Sequence, residues 1–571
     1  MRIERLWIQR FRGISALDWR PSPGLNCIIG PGDGAKTTIL DAIDCLLAER
    51  HTIAFDDLDF YNGDTSQNIF IGAIVSGLRN DLLRDDRYGH ALSGWNTVTG
   101  EWHEEPAEQA GVVPAIFLAL EVDCTLEPAW YIWVQRNKEV DKTKRLAFVD
   151  RKLISPARLG VYADKHLSWA RGSSLQRIGS HPEQLPATLN GLLRSARDSF
   201  AAQSASAFSE IVDAISPDIA KLGVQVQGTL SANLDHTSFS MNASGVSLHD
   251  GNIPLRCMGT GSSRLAVAAL QSTESASRNF LLVDELEYGL EPHRISLLVS
   301  HLRQRVVTSG QAFITTHSPT VLREVRFDEV HVCRRDAKTG RVGVVTAGST
   351  STATLDARRY VRDKGEALLG RTVLVCEGQT EVALLKGFAE STQFNFQADG
   401  VALVDGGGHP NLFAVALHFA RMGYRTAVLA DSDRPTDPKT SMELSVNRVA
   451  HFAWDIPRCT EQELFCGLPD GLASELLTTI ANNVGHPQVL GELSSHLKVR
   501  FNSLAEVTPY LTDATALMKM GAVANSAKWI KNNFDLCFQI GSAILGIAPL
   551  LGDSSLVRHL EALKGWMASN A

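Results

Sequence analysis

The chain has 571 residues, too many for a single hydrophobic core, so its length predicts about three domains. Its 44% apolar content is typical of a globular protein, and its net charge of −8 excludes binding to nucleic acid through an overall basic field. The nine cysteines form no Cys-x-x-Cys pair, the N-terminus lacks signal-peptide features and no run of about 18 apolar residues occurs, which predicts a cytoplasmic protein without zinc module, disulfide framework or membrane span.

The first predicted elements are two strands, at residues 2–9 and 25–29, and a glycine-rich loop. The second strand runs into Gly30-Pro31-Gly32-Asp33-Gly34-Ala35-Lys36-Thr37-Thr38, and a helix follows. Strand, glycine-rich loop and helix are the context that a phosphate-binding loop requires, because backbone N–H groups and the helix N-terminus both attract phosphate. We expect Lys36 to reach the β- and γ-phosphates of ATP and Thr37 to bind its Mg²⁺. The predicted ATP contacts of this loop are Gly30, Gly32, Gly34, Lys36, Thr37 and Thr38.

One residue departs from the phosphate-loop pattern. The position before the lysine is normally glycine, and here it is Ala35. If that backbone needs a positive φ, the Cβ costs about 1–2 kcal/mol. We therefore expect nucleotide binding without fast turnover. The alternative interpretation is a glycine-rich turn that merely precedes a helix.

Residues 50–160 contain short strand-like runs separated by charged loops, which we interpret as an antiparallel β lobe beside the phosphate loop. Residues 163–224 change to an alanine- and leucine-bearing helical pattern. This predicts an inserted helical segment, which serves either as a dimer contact or as a helical cap without a partner.

Residues 259–263 form a second loop rich in glycine and serine, at the start of another predicted helix. Such a loop is an anion cradle, and Gly261 and Ser262 are its predicted ATP contacts. Alone it is a weak signal.

Two apolar runs, 280–283 and 312–315, end in polar residues and enclose a helical segment. They predict a βαβ unit whose polar tips lie at the carboxyl ends of parallel strands, where open α/β sheets bind ligands. Asp284 can hold Mg²⁺ on a triphosphate there, and Glu285 can orient water. His317 is interpreted as a γ-phosphate sensor, and the alternative is a core histidine with a satisfied hydrogen bond.

Together with Phe11-Arg12-Gly13, these motifs resemble the ABC-type ATPase heads of RecF and SMC proteins. In ABC-type ATPases a loop like 259–263 closes on the nucleotide of the partner subunit. No long heptad stretch separates the two halves, which excludes SMC itself.

Three further strands follow, each with a polar exit. The first, 371–377, ends in Glu377-Gly378; the second, 401–408, ends in glycines; the third, 426–433, ends in Asp431-Ser432-Asp433. This order resembles a Toprim domain. A Toprim domain behind a RecF-like head resembles the OLD (overcoming lysogenization defect) family of nucleases.

Glu377, Asp431 and Asp433 lie at strand ends of one small parallel sheet, so we expect them to converge. Grouped carboxylates repel one another unless cations are present, and oxygen ligands select Mg²⁺ or Mn²⁺ rather than zinc. Two such ions about 4 Å apart could activate water and stabilise the leaving oxygen of a phosphodiester.

The OLD resemblance implies further site residues. It adds Glu381 as a metal ligand and a downstream glutamate, for which Glu461 and Glu463 both qualify and Glu461 is preferred. It also implies a lysine that steadies the transition-state charge. Trp529-Ile530-Lys531 resembles the family's Trp-Phe-Lys, so Lys531 is our choice and Lys528 is second. The alternative for these last residues is an ordinary charged helix face.

These expectations combine into one α/β architecture: an ABC-type P-loop ATPase head with a helical insertion, followed by a Toprim α/β domain. The expected boundaries are 1–162 and 236–365 for the two lobes of the head, 163–235 for the insertion and 366–571 for the Toprim domain with its helical extension.

The leading hypothesis is an ATP-binding, Mg²⁺- or Mn²⁺-dependent DNA endonuclease that forms a homodimer or higher oligomer. The resemblance implies a role in bacterial anti-phage defence, with a possible additional defence protein as partner and no membrane. The rival is a RecF-like, nucleotide-gated DNA-binding ATPase with an inactive Toprim fold. Topoisomerase or primase activity is disfavoured. Basic residues between 323 and 341 form either a local phosphate-binding patch or, as we prefer, a solvated face.

Overall fold

The computed structural model describes most of the chain. The described residues are 1–49, 53–106, 109–136, 139–160, 164–170, 173–178, 184–222, 224–234, 245–274, 279–308, 310–350, 364–469, 471–531 and 533–569.

The N-terminal part, up to residue 350, is built on one large sheet. The strands of this part are β1 (Arg2–Phe11), β2 (Ile14–Trp19), β3 (Gly24–Ile29), β4 (Ile69–Ser76), β5 (Ser93–Asn96), β6 (Trp102–His103), β7 (Val112–Val122), β8 (Pro128–Ile132), β9 (Val134–Arg136), β10 (Glu139–Asp141), β11 (Ala157–Leu159), β12 (His249–Asp250), β13 (Ile253–Pro254), β14 (Phe280–Val283), β15 (Gln311–Thr315), β16 (Val330–Arg335) and β17 (Arg341–Thr346). Strands β9 and β10 form a separate two-stranded sheet, and so do β12 and β13. Its α-helices are α1 (Lys36–Leu46), α2 (Asn80–Leu83), α3 (Phe148–Ile154), α4 (Ser174–Ile178), α5 (Gln184–Lys221), α6 (Thr260–Glu274), α7 (Pro292–Thr308) and α8 (Pro319–Glu324).

Within the described residues the large sheet has the order β11-β14-β15-β3-β16-β17-β2-β1-β4-β7-β5-β6, and β8 pairs with β7. The strands from β11 to β16 run parallel, and β1, β4, β7 and β8 pair antiparallel. The predicted βαβ unit is present as β14, α7 and β15, and all four residues of β14 are buried, as expected for a strand covered on both faces. The predicted antiparallel lobe is present as well, but it continues the parallel strands in one sheet.

Helix α5 lies within the segment expected to be a helical insertion and runs for 38 residues, with Pro217 inside it. Leu189 and Leu193 near its start are buried. Further along, the side chains of Phe208, Ile211 and Ile215 are exposed by 39%, 61% and 45%. Because these three lie at i, i+3 and i+7, they share one face of the helix. Residues 163 and 235, the limits expected for the insertion, lie outside the described residues.

The C-terminal part, from residue 364, has a separate four-stranded sheet followed by helices. The strands are β18 (Thr372–Cys376), β19 (Val401–Asp405), β20 (Arg425–Ala430) and β21 (Ala450–Ala453). The α-helices are α9 (Gln379–Ser391), α10 (His409–Arg421), α11 (Pro438–Val446), α12 (Thr460–Cys466), α13 (Leu472–Val484), α14 (His486–Leu497), α15 (Leu504–Val507), α16 (Ala514–Ser526), α17 (Phe534–Ile540), α18 (Ala548–Leu551) and α19 (Ser555–Ala568).

The small sheet has the order β19-β18-β20-β21, with every pairing parallel. The carboxyl ends of β18 and β20 are therefore side by side, where Cys376 lies opposite Leu429. This arrangement places the residues that follow the two strands at one edge of the sheet.

One described segment, Phe534–Leu551, is long and apolar enough by length and composition to cross a membrane, and 39% of it is buried. In the fold it comprises α17, a π-helical turn at Gly541–Leu545 and α18, and its side chains join the apolar core of α9. Burying a leucine or isoleucine side chain there contributes about 1.5–3 kcal/mol relative to exposure. The apolarity of this segment therefore has a packing explanation.

Candidate functional site

The glycine-rich loop lies between β3 and α1, as predicted. The buried Lys36 donates hydrogen bonds from Nζ to the carbonyl oxygens of Gly30 and Pro31, at 2.9 and 2.7 Å. Burial lowers the pKa of Lys36, and the negative charge of neighbouring groups such as Asp284 partly opposes this shift. The ammonium group thus bonds to carbonyls of its own loop, for which phosphate oxygens could substitute.

Ala35 has a left-handed backbone, with φ 65° and ψ 22°. The condition set from the sequence is therefore met: this position carries a Cβ where glycine is favoured. The strain is about 1–2 kcal/mol. The neighbouring Gly34 closes the turn by donating its N–H to the Pro31 carbonyl at 3.0 Å.

Asp284 joins the glycine-rich loop to the strand ends. Its Oδ1 accepts hydrogen bonds from the hydroxyls of Thr37, at 3.2 Å, and of Thr315, at 2.6 Å. The N–H of Glu285 donates to the Thr315 hydroxyl at 2.9 Å, and Glu285 itself is exposed with φ 46°. The residues expected around the Mg²⁺ of ATP are thus in direct contact.

Glu287, which the sequence analysis missed, holds the segment that carries His317. Its carboxylate accepts the Thr316 hydroxyl and the His317 N–H, each at 2.7 Å. The His317 side chain is exposed, so it is not a core histidine. Partial burial and then the charge of Lys36 lower its pKa. A mostly neutral imidazole near neutral pH follows.

The loop 259–263 packs against the loop 284–289 of the same chain, which contains Asp284, Glu285 and Glu287. A Cβ on Gly261 would lie 2.2 Å from the Gly289 carbonyl oxygen, so only glycine fits. The hydroxyl of Ser262 accepts from Arg294 at 3.1 Å. Arg264, only 1% exposed, donates to the carbonyls of residues 284, 285 and 288 at 2.9–3.1 Å. The two loops are therefore fixed to each other.

In the C-terminal part the predicted acids meet at one edge of the small sheet. Oε2 of Glu377, directly after β18, accepts the backbone N–H of Asp431, directly after β20, at 3.1 Å. Asp433 lies exposed two residues further along. The intervening Ser432 donates its N–H to the carbonyl of Arg458 at 2.9 Å, which fixes this loop.

Thr460, the first residue of α12, joins two of the acids. Its hydroxyl lies 2.8 Å from Oε1 of Glu381 and 2.9 Å from Oδ1 of Asp431, and its N–H also donates to Asp431, at 3.0 Å. A hydroxyl carries one hydrogen, so it satisfies only one of two ionised carboxylates at a time. Burial raises the pKa of Glu381 to about 7, and the charge of Glu461 adds to this shift.

The pKa of Asp431 rises to about 8, because of burial first and then the charges of Glu381 and Glu377. Without a cation, Glu381 and Asp431 therefore both take up protons near neutral pH.

The sequence allowed either Glu461 or Glu463 as the downstream metal ligand, and their different surroundings in α12 distinguish them. Glu461 is 2% exposed, and within the described residues its Oε1 is buried without a hydrogen-bond partner. Glu463 is fully buried and accepts from Arg458 at 2.9 Å and from the Ser555 hydroxyl at 2.6 Å. Glu463 thus belongs to an ion-paired network, whereas the charge of Glu461 adds to the effect of burial and raises the pKa of Glu381 and of Asp431.

Two stretches of the chain match known domain families. Residues 165–323 match the AAA domain described as putative AbiEii toxin, Type IV TA system. Residues 368–433 match the TOPRIM domain of overcoming lysogenization defect protein-like proteins. The chain joins an AAA ATPase domain to an OLD-like Toprim domain. The resemblance found in the sequence and the predicted α/β fold class are confirmed at this level, whereas the expected domain boundaries stay predictions.

One relative and two solved structures illustrate how this chain resembles other proteins. The uncharacterized protein YbjD of Escherichia coli (strain K12) is 26% identical over 165 residues, which are 28% of this chain and 28% of the relative. An SMC head bound to the C-terminal winged-helix domain of ScpA shares 13% identity over 62% of this chain and all of its own, at a TM-score of 0.34. The SMC head domain of Thermotoga maritima shares 14% identity over 61% of this chain and 99% of its own, at 0.30.

Lys531 is linked through Asn525 to the residue that precedes Thr460. Its Nζ donates to Oδ1 of Asn525 at 2.6 Å, and Nδ2 of Asn525 donates to Sγ of Cys459 at 3.3 Å. Cys459 directly precedes Thr460, which touches two of the acids. Lys528 is exposed, with φ 57°. This chain of contacts favours Lys531 over Lys528 as the lysine of the Toprim site.

A second cluster of side chains in the Toprim domain has the types of ligand atom that could bind a cation. Asp455, Glu463 and His559 offer ligand atoms within 4.8 Å of one another. Arg458 already neutralises this group, with its Nη1 2.9 Å from Glu463 and 3.6 Å from Asp455. The group therefore stabilises the loop that supports the Asp431 segment.

The basic residues between 323 and 341 do not form one surface. Arg334 is largely covered at the boundary with the Toprim domain, and Arg335 donates to the Gly13 carbonyl at 2.6 Å. Arg326 pairs with Asp328 and Glu329 at 3.5 and 3.3 Å. These contacts leave the basic residues between 323 and 341 without a common phosphate-binding patch, the interpretation that the sequence analysis did not prefer.

Sequence reasoning missed Thr460, Arg264 and Glu287. Glu287 and Thr460 stand beside predicted site residues, so their proximity was a usable signal. The hydrogen bonds of Arg264 go to backbone carbonyls, and its guanidinium also lies 5.6 Å from the centre of the Tyr288 ring. No sequence spacing announces such contacts.

Proposed function

We propose that this protein is an ATP-binding, divalent-metal-dependent DNA endonuclease, whose OLD-like Toprim acids cut phosphodiester bonds under the control of the AAA domain. The observation that carries the proposal is that the Glu377 carboxylate accepts the backbone N–H of Asp431 at 3.1 Å, while Thr460 joins Asp431 to Glu381. The anti-phage role rests on the resemblance to OLD nucleases alone, as do the cytoplasmic location and the additional defence partner.

The acids fit a divalent cation. A buried carboxylate oxygen without a hydrogen-bond partner is costly, and Oε1 of Glu461 is one within the described residues. The raised pKa values of Glu381 and Asp431 show that these carboxylates lack compensating positive charge. The donors are all oxygens, which suits Mg²⁺ or Mn²⁺.

In the proposed site Glu377, Glu381, Asp431, Asp433 and Glu461 would hold two such ions. Bound there, the ions would lower the pKa of a coordinated water and offset negative charge on the scissile phosphate. Thr460 keeps both carboxylates oriented, because its hydroxyl can donate to Glu381 while its N–H donates to Asp431. Lys531, held by Asn525, would place positive charge beside the DNA strand.

In the AAA domain, we assign ATP to the glycine-rich loop. Lys36, Thr37 and Asp284 would contact the phosphates and one Mg²⁺, Glu285 would orient water, and His317 would sense the γ-phosphate. Thr38 and the loop residues Gly261 and Ser262 complete the proposed set. The strained backbone at Ala35 favours slow ATP hydrolysis. Nucleotide binding would therefore control the conformation of the protein more than hydrolysis would drive it.

The same observation at Ala35 supports the rival function, a nucleotide-gated DNA-binding ATPase whose Toprim domain is inactive. Wild-type protein that binds DNA in an ATP-dependent manner but never cuts it would favour this rival. The two functions differ only in the Toprim acids, so a substitution there separates them.

The test is nicking of supercoiled plasmid with Mg²⁺, Mn²⁺ or Ca²⁺, with and without ATP. We expect Mg²⁺ or Mn²⁺ to support nicking and Asp431→Ala to slow it on the order of 100-fold or more. Glu443→Ala, on the surface of α11, is the matched control and should cut normally. Undiminished cleavage by Asp431→Ala would reject the proposal.

A further inference from the structure

One arginine bridges the boundary between the AAA and Toprim domains. Arg334, in β16, places its guanidinium 3.7 Å from the centre of the Tyr424 ring. Its Nη1 donates to the carbonyl of Arg371 at 3.0 Å, and its Nη2 donates to that of Gly370 at 3.2 Å. Burial lowers the pKa of Arg334, so the contact is poorly hydrated. A planar guanidinium can make this stack and both hydrogen bonds at once, which lysine cannot.

The residues that Arg334 holds come directly before the two strands that carry the acids. Arg371 precedes β18, which ends one residue before Glu377, and Tyr424 precedes β20, which ends one residue before Asp431. Every residue of β18 is buried, and five of the six residues of β20 are. Because closely packed strands transmit displacement rather than absorb it, a shift at Arg334 moves both acids.

The other side of the same strand touches the phosphate loop. Cys333 donates from Sγ to the Gly34 carbonyl at 2.8 Å. Its own carbonyl lies so close to Gly30 that a Cβ there would be 2.2 Å away. The Arg371 side chain also approaches Asp33 of the loop, at 3.8 Å, in an exposed and therefore weak ion pair. Both ends of the phosphate loop are thus packed against β16.

We propose that Arg334 is a positioning residue that couples nucleotide binding in the AAA domain to the geometry of the Toprim acids. This regulation rests on the proposed function, because it acts on the same carboxylates. Phosphate groups that draw Lys36 away from the Gly30 and Pro31 carbonyls would release the loop from its present hydrogen bonds. The displacement would pass from the loop to Cys333, then through Arg334 to the starts of β18 and β20.

The test compares hydrogen–deuterium exchange of the full-length protein with and without ATP. In the wild type we expect ATP to slow exchange in the phosphate loop and to change it at least twofold in segments 370–378 and 423–434. In Arg334→Lys and Arg334→Ala the phosphate loop should still respond, and the two Toprim segments should not. Arg421→Ala, which removes an exposed arginine of α10, is the matched control and should behave as wild type.

The proposal is overturned if both Arg334 variants keep the wild-type response, or if ATP leaves the Toprim segments of the wild type unchanged. Failure of both variants to fold would make Arg334 purely structural and would also overturn it. Plasmid nicking gives the second readout: ATP should change the wild-type rate at least threefold and leave both variants unaffected. A wild type that shows the exchange response but never nicks DNA would refute the nuclease and retain the coupling.

Discussion

Asp431 carries the strongest electrostatic signal of the candidate site, because its pKa is raised from 3.8 to about 8. Between these values the folded, metal-free protein binds more protons than the unfolded chain. Its stabilising contribution is therefore present below about pH 4 and is lost as the pH rises through about 8. Divalent cations should reverse this loss, since they favour the ionised form.

Asp431→Asn tests this electrostatic account. Asparagine keeps an oxygen for Thr460 and removes the charge, so we expect metal-free protein at pH 8.5 to melt at a higher temperature than wild type and to lose nicking. At pH 5.5 the difference in melting temperature should shrink. The measurement is thermal unfolding with a chelator, with Glu443→Gln as control. A variant less stable than wild type at pH 8.5 would contradict the account.

Ala35→Gly tests the strain in the phosphate loop. Glycine adopts a φ of 65° without penalty, so the free energy of unfolding of the AAA domain should rise by about 1 kcal/mol. Ala42→Gly, the same substitution inside α1, should lower it by at least about 1 kcal/mol, because the helix prefers alanine and a buried methyl group is lost. Urea denaturation followed by tryptophan fluorescence measures both. If both substitutions changed the free energy of unfolding in the same direction, the proposed strain at Ala35 would be refuted.

Single positions also show where sequence reasoning ends. Glu377 and Asp431 could be predicted to meet, because the sequence places both at strand ends of one small parallel sheet; that these two strands are direct neighbours came from the structure. Glu461 and Glu463 could not be separated, because residues two apart on a helix point in nearly opposite directions and the sequence does not say which face packs on the acids.

At the level of elements, α12 carries two glutamates with different expected roles. Glu463→Gln breaks a buried pair with Arg458 and should destabilise the protein by about 2 kcal/mol or more. Glu461→Gln removes an unpaired buried charge and should stop metal-dependent nicking without loss of stability. Thermal unfolding and plasmid nicking of both variants measure these effects. If instead Glu463→Gln stopped nicking and Glu461→Gln destabilised the protein, Glu463 would be the metal ligand.

Helix α5 is the element through which we propose that two copies of the chain associate. Phe208, Ile211 and Ile215 expose one apolar face, which water penalises unless a partner covers it. We expect a dimer by light scattering and a monomer for Ile211→Glu. Val98→Glu, at an even more exposed apolar residue in a turn, should remain dimeric. A monomeric wild type would contradict the proposal.

The element order was readable from the sequence because buried strands and glycine-rich turns alternate in characteristic ways. The β lobe shows the limit. Local runs predicted its strands, but the single continuous sheet depends on pairings such as β17 with β2, whose partners are more than 300 residues apart in the chain. Periodicity carries no information about such pairings.

At the level of the whole molecule, the two domains share part of one apolar core. Phe327 of the AAA domain lies 5.2 Å, between ring centres, from His418 of α10, and Val321 and Leu322 belong to the same buried cluster as Ala416 and Phe419. This shared core holds the two domains against each other, which the coupling proposed for Arg334 requires. Sequence motifs marked both sites, but the contact between their domains emerged only from the fold.

The central claim is that the strand-end acids of the Toprim domain bind divalent cations. Anomalous diffraction from crystals grown with Mn²⁺ tests it most directly. The account predicts strong anomalous density among Glu377, Asp431 and Glu461. Density only at Asp455, Glu463 and His559, or none at the acids at a Mn²⁺ concentration that supports maximal nicking, would contradict it.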